Sequence, residues 1–256
     1  MDSATPVKLV NLIIPKRDRH QSLLVCLHYL NLACNDKRFK VTVYIVDDSV
    51  KFSTIGNYEN FNLVPLPYPN QSMFNKSRLI NYALSHMGDC DWFSIIDVDM
   101  IYSDNFLDCI NKKIELGCEY IVSHGYKLKK NISEYIISNK PSIEYFRGSA
   151  EKEEFRVGPS QITLTKTAYS KLLSVFGTPL YDEFYEGWGA EDSDISIKSM
   201  FLQNKHKLNK DQIYDIWYHL YHESRNIDSA QYQKNYNHFR DHIKINGIMA
   251  AQRLGG

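Results

Sequence analysis

The chain has 256 residues, 43% of them hydrophobic, enough to bury one large core at the upper edge of the single-domain range. Lys plus Arg (30) equals Asp plus Glu (30), so no global field draws the molecule to nucleic acid or an anionic membrane, and a charged ligand must be held locally. The five cysteines, Cys26, Cys34, Cys90, Cys109 and Cys118, are odd in number and form no C-x-x-C pair, which argues against a disulfide framework and a structural zinc site and for a reducing compartment.

The N-terminal apolar run is too short for a spanning helix and lacks a basic region with a small-residue cleavage site, so the expected location is cytoplasmic. Strand-like and helix-like segments then alternate, the pattern of an α/β domain with a mostly parallel sheet. "VKLVNLII" predicts a first strand that stops at Pro15, and apolar residues at helical spacing from Leu23 to Leu32 predict a helix. "VTVYIVDDS" predicts a strand ending in acids, and "FNLVPL" a shorter one. A helix over 75–85 leads to the strand "WFSII"; a helix over 105–115 precedes the strand "EYIVSH". The polar stretch from Lys127 to Glu154 has no clear period and is expected to be a variable excursion. A strand at "SQITLT", a helix from Lys166, and a further helix opened by "DEFYEGWGAEDSD" come next. "IYDIWYHLYH" predicts one late strand, and the tail containing "AQYQKNYNHFRDHIK" a surface helix. No repeat or linker divides the chain. The expected organisation is one domain over 1–256, with a nucleotide-binding half over 1–125, an acceptor half over 126–225 and a helical tail over 226–256.

Three clusters fall at strand ends, where loops and helix N-termini of such sheets converge on ligands. In "FSIIDVDM", Asp97 and Asp99 end a buried strand one residue apart. Their repulsion is relieved either by a hard divalent cation bridging to a phosphorylated ligand, or by one acid capping a helix while the other is solvated. "EGWGAEDSD" sets Glu186, Glu191, Asp192 and Asp194 around the Gly187-Trp188-Gly189 turn. A helix N-cap explains one acid. A tryptophan face for stacking on a sugar, hinging glycines and an acid able to act as general base explain the set. In "WYHLYHESR", His219 and His222 are either core or surface imidazoles or ligands for a transition metal. Basic groups follow the first strand (Lys16, Arg17, Arg19) and open the 75–85 helix (Lys76, Arg78). Cations at a helix start oppose its dipole unless an anion such as a diphosphate also binds there.

The ordered combination "PKRDR", "FNKSRLIN", "DVDM", "EGWGAEDSD" and "HESR", spread from Val10 to about Arg225, resembles the GT-A glycosyltransferases, and within them the β-1,4-galactosyltransferases and bacterial capsule-type relatives. The resemblance implies a GT-A fold, α/β with a mostly parallel mixed sheet flanked by helices. It implies a hexosyltransferase that moves a galactose or N-acetylhexosamine type sugar from a UDP-sugar to a saccharide hydroxyl in cell-surface polysaccharide or glycan synthesis. It makes Asp192 the catalytic base. Asp99 and His222 become metal ligands, with His219 replacing the family's methionine ligand. Pro15, Arg17, Arg19, Phe74, Lys76, Asp97, Val98 and Asp99 become the grip on uridine diphosphate, and Tyr185, Trp188, Gly189 and Glu191 the acceptor loop. Manganese is the implied ion, with magnesium second because it prefers an all-oxygen shell.

The chain departs from the galactosyltransferase pattern in three places. Lys76 stands where they carry arginine and Arg78 where they carry lysine, so a bidentate phosphate contact could shift by two positions. Asp47 or Asp48 sits where the broad bacterial family contacts uracil or ribose. The expected partners are a UDP-sugar and an oligosaccharide or lipid-linked saccharide acceptor, with no nucleic acid and no membrane span but room for peripheral membrane association. The position of Asp192 near a helix start is expected to favour its ionised form. Competing readings are a retaining transferase and a non-catalytic nucleotide-sugar-binding module. A nucleotidyltransferase would need a glycine-rich phosphate loop after the first strand, where "PKRDRHQ" stands instead.

Overall fold

In a computed structural model, residues 6–49, 55–69, 73–148, 150–152, 161–187, 189–223 and 229–254 are described. Eleven strands and eight helices are formed among them, in two sheets. The larger sheet runs β10-β6-β9-β4-β1-β2-β3: β1 (Lys8–Lys16), β2 (Phe39–Asp47), β3 (Asn62–Pro67), β4 (Trp92–Ile95), β6 (Tyr120–Ser123), β9 (Ile162–Thr165) and β10 (Lys210–Ile213). All of its pairings are parallel except those of β9 with β4 and β6. The smaller sheet, β5-β11-β7-β8, contains β5 (Met100–Tyr102), β7 (Tyr126–Lys127), β8 (Glu151–Lys152) and β11 (Trp217–His219).

The central strands β1, β2 and β4 are apolar runs buried on both faces, as parallel strands covered by helices must be. One side is filled by α1 (His20–Ala33) and α3 (Phe106–Glu115), which pack Leu23, Leu27, Phe106 and Ile110 against Leu12 and Val43. The other is filled by α2 (Lys76–His86), α6 (Lys166–Phe176) and α7 (Glu191–Asn204), which bring Leu79, Leu172 and Ile195 to Ile13 and Phe93. The terminal helix α8 (Ala230–Leu254) lies against α6 and α7.

Three expectations need correction. First, β1 continues through Pro15 to Lys16. Along this strand Ile13 faces β4, since its carbonyl accepts from Ile96 N, so the missing N–H of Pro15 also points that way. There β4 has already ended, and no ladder bond is lost. Second, the excursion contains α4 (Lys130–Asn139) and α5 (Ile143–Arg147). Ile136, Ile143 and Phe146 form a third apolar cluster with Val25, Tyr29, Ile101 and Tyr218, so this segment is anchored by burial in spite of its charged surface. Third, "IYDIWYHLYH" is split: Ile213 closes β10 in one sheet, while Trp217–His219 crosses to the other. Asp215, with φ 64°, makes the bend between them.

Candidate active site

The smaller sheet builds the first part of the site. β11 pairs antiparallel with β5 in a register that sets His219 opposite Met100, and Leu220 N donates to Asp99 O at 2.9 Å. This pairing carries two segments more than a hundred residues apart in sequence to one point. The Nε2 atoms of His219 and His222 lie 3.6 and 3.7 Å from Asp99 Oδ2. The ligand atoms of all three residues fall within 4.8 Å of one another. Gly125 lets β11 approach, because a Cβ there would stand 2.1 Å from the Trp217 carbonyl oxygen.

Asp99 is buried, and Arg19 forms an ion pair with it. Burial alone would raise its carboxyl, but hydrogen bonding and charge from His219, with Arg19 and His222, hold it well below the usual carboxylate range. Burial pushes the His222 imidazole below its ordinary value, toward the neutral form that ligates metals. One carboxylate and two imidazoles converging in this way match a divalent transition ion in donor chemistry.

The second part hangs on Lys76. Asn75 caps α2, its side chain accepting from Arg78 N at 2.9 Å, and this fixes the first turn. From there the buried Lys76 ammonium reaches Asp97 Oδ1 at 2.9 Å and Asp192 at 3.2 Å. Burial works against that charge, yet Asp192, Asp97 and Glu191 together raise its pKa above the ordinary lysine value. The acids of "DVD" are thus relieved by basic side chains, Asp97 by Lys76 and Asp99 by Arg19.

Asp192 corrects a further expectation. It does stand in the first turn of α7, where the helix dipole favours a charge. Burial outweighs that effect, with Glu191 and Asp97 adding to it and Lys76 opposing, and its carboxyl is pushed up to about 7. Asp194, its neighbour in the same acidic run, pairs with Lys198 at 2.7 Å and accepts from Asn246, which ties α7 to α8.

The remaining basic residues divide. Arg17 forks onto Asp48 with bonds of 3.0 and 2.6 Å, and its guanidinium lies 5.8 Å from the Phe74 ring centroid. Asp47 is held in a buried pair with Lys16 at 2.7 Å. Arg78 turns to the acidic segment beyond α6, 3.6 Å from Glu183 and 3.9 Å from Glu186. Val98 and Tyr185 are buried beside these groups in sequence, and Gly189 has φ 99° next to the Tyr232 ring. Trp188 lies outside the described residues, as does Arg225 of "HESR". Gln161 joins the site unannounced by any motif: its Oε1 accepts from Tyr102 OH and lies 3.4 Å from Asp97 N. Only its place in the predicted strand "SQITLT" could have drawn notice.

No family model matches the chain. It is 24% identical over 208 residues to β-1,4-galactosyltransferase 1 of Bos taurus, an alignment covering 78% of this chain and 38% of that protein. The chain therefore spans well under half of that relative. Among solved structures, residues 1–349 of TarS of S. aureus superpose with a TM-score of 0.58 at 14% identity, covering 96% of this chain and 69% of that fragment. Related TarS structures contain UDP-GlcNAc or UDP. A Drosophila β-1,4-galactosyltransferase 7 mutant, in complex with manganese, UDP-Gal and xylobiose, superposes at 0.50 with 16% identity over 88% of this chain and 79% of that one. With its mostly parallel sheet, flanking helices and acid-rich strand ends, the chain has the GT-A fold of the nucleotide-sugar glycosyltransferases.

Proposed function

We propose that the protein is a UDP-sugar-dependent hexosyltransferase that transfers its sugar with inversion to a saccharide hydroxyl. The observation that carries this reading is the Lys76 bridge: one buried ammonium joins Asp192 to Asp97, with the Asp99, His219 and His222 cluster two residues away from Asp97. A proton acceptor and a cation-binding corner are thereby held close together, as transfer from a diphosphate to a hydroxyl requires.

Asp192 is the base. With a pKa of about 7 it is poised between holding and releasing a proton at neutral pH, the condition for efficient general base catalysis. It takes the hydroxyl proton while the acceptor oxygen attacks the anomeric carbon and the bond to the diphosphate breaks on the opposite side. Lys76 keeps that carboxylate available and lends positive charge to the departing phosphate. Arg17, seated between Asp48 and Phe74, is assigned to the nucleoside end of the donor. A manganese-class ion bound by Asp99, His219 and His222 would supply charge neutralisation for the leaving diphosphate. The acceptor side is given to Tyr185, Gly189, Glu191 and Trp188. The complexes of the similar proteins with UDP-GlcNAc and UDP-Gal support a nucleotide of the uridine series and leave galactose and N-acetylhexosamine donors as the first to test.

The experiment is a panel of UDP-sugars with Mn²⁺, read first by thermal stabilisation and then by release of UDP. One donor should stabilise the protein and be slowly hydrolysed, and Asp192→Asn should keep the stabilisation while losing turnover. Stabilisation without turnover by the unaltered chain would leave a binding module. A product of retained anomeric configuration would overturn inversion.

A further inference from the structure

A second group of metal-ligating side chains lies apart from the residues used above. Asp182 stands on the segment that follows α6, five residues before Gly187. His238 and His242 are one helical turn apart on α8, so their imidazoles leave the same face. Both point at one carboxylate oxygen: His238 Nε2 is 2.7 Å and His242 Nδ1 3.0 Å from Asp182 Oδ2. The three ligand atoms lie within 4.8 Å of each other.

Neighbouring groups orient the ligands. The other carboxylate oxygen, Asp182 Oδ1, accepts from Phe184 N at 2.9 Å, which fixes the carboxylate plane. Phe184 stacks on the His238 ring with centroids 3.8 Å apart and an interplanar angle of 16°, and Tyr185 meets the same ring edge-on. The two imidazoles themselves lie 3.9 Å apart. Although burial opposes it, the hydrogen bonds from His238 and from the Phe184 backbone hold the Asp182 carboxyl below its ordinary value, so it is an anion at neutral pH. Outer contacts that lock a ligand's plane are what a competent metal site needs besides the ligands.

We propose that Asp182, His238 and His242 bind a zinc-class divalent transition ion that fastens α8 to the 182–187 segment, beside the acceptor loop. Two imidazoles and a carboxylate suit Zn²⁺ and disfavour Mg²⁺ and Ca²⁺, which take oxygen shells. Ligand atoms about 2.1 Å from a tetrahedral ion sit roughly 3.4 Å from one another, so the 2.7 and 3.0 Å separations must open by about half an ångström. Side-chain rotation supplies that. The same two elements are already joined by Asn235, whose Nδ2 donates to Glu186 O at 2.7 Å, so the ion would reinforce an existing contact and create no new interface.

The test uses the full chain, stripped with chelator and titrated calorimetrically with Zn²⁺ alone. Asp99→Ala combined with His222→Ala removes the other cluster. That double variant should still bind one equivalent of Zn²⁺ and be thermally stabilised by it, and adding Asp182→Asn or His242→Ala should weaken this binding at least tenfold. Long-range ¹H–¹⁵N spectra of the double variant supply a reading that needs no further substitution: Zn²⁺ should shift the Nε2 resonance of His238 and the Nδ1 resonance of His242. Failure of the double variant to bind Zn²⁺, binding unaffected by Asp182→Asn, or unmoved imidazole resonances would each overturn the proposal.

Discussion

Replacing Lys76 by methionine should drive the Asp192 carboxyl upward, by an amount the geometry bounds. The Lys76 ammonium is 3.2 Å from Asp192 Oδ1. At effective dielectric constants of about 20 to 40, unit charges at that separation attract by about 3–5 kcal/mol, equivalent to roughly two to four pKa units. Lys76 is shared with Asp97 at 2.9 Å, and water entering behind the shorter polar reach of methionine screens part of the loss, so the realised shift is set at about one unit or more. A carboxyl that titrates at about 7 in the unaltered protein then titrates at about 8 or above in Lys76→Met. Carbon-13 carboxyl resonances of aspartate-labelled protein, followed from acid to alkaline pH, measure this without knowledge of the substrates, and Asp192→Asn assigns the signal. Lys76→Arg should hold the value near that of the parent. The proposed base works ionised, so transfer rises with pH through its pKa; Lys76→Met moves that limb to higher pH and lowers the rate at neutral pH about fivefold or more, with only partial recovery in alkali because the charge Lys76 lends to the departing phosphate stays lost. If Asp192 titrates at the same pH with and without Lys76, the ammonium does not govern it and the bridge has no catalytic meaning.

Asp99→Ala should abolish the extra thermal stabilisation that Mn²⁺ adds to UDP, because both imidazoles of the cluster face this carboxylate; stabilisation equal to that of the parent would remove Asp99 from the ion's shell. Arg19 pairs with the same oxygen of Asp99, so Arg19→Gln should bind Mn²⁺ alone about tenfold more tightly, the loss of a charge-assisted contact worth roughly 1.5–3 kcal/mol, and calorimetry reads it directly. Gly125→Ala places a methyl 2.1 Å from the Trp217 carbonyl and should cost about 3 kcal/mol, a fall of roughly 6–12 °C in Tm, with Mn²⁺ binding weakened because β11 carries His219. Phe146→Ala empties a site between Tyr29 and Tyr218 and should cost about 3–5 kcal/mol in denaturant unfolding; a loss below about 1 kcal/mol would mean that α5 is not anchored there.

What could be read in the sequence, and what could not, follows from the range of the forces involved. The strands β1, β2 and β4 and the helices α2, α6 and α7 announce themselves because their signals are local: apolar runs, helical spacing and acids at a helix start, each decided within a few residues. Asp97, Asp99 and Asp192 were legible for the same reason, as acids crowded at strand and helix ends. The helices α4 and α5 stayed hidden because Ile136 and Phe146 are buried by Tyr29 and Tyr218, residues about a hundred positions away on one side and seventy to eighty on the other, and no local period reports that. The Lys76 bridge and the Asp182 cluster lie further out of reach still. Both are meetings of charged groups carried by separate elements, fixed only once α2, α7 and α8 have packed. A lone lysine in a helix start or two histidines on a surface helix is ordinary in sequence; the chemistry arises when packing excludes water around the charges and strengthens each pair. Burial is also why the helix-dipole argument failed for Asp192. A dipole acts over one turn and is worth at most about 2 kcal/mol, whereas taking a carboxylate out of water costs several. The consequence for the proposed base is favourable: with its pKa raised by burial, the Asp192 carboxylate is a stronger proton acceptor than an exposed aspartate.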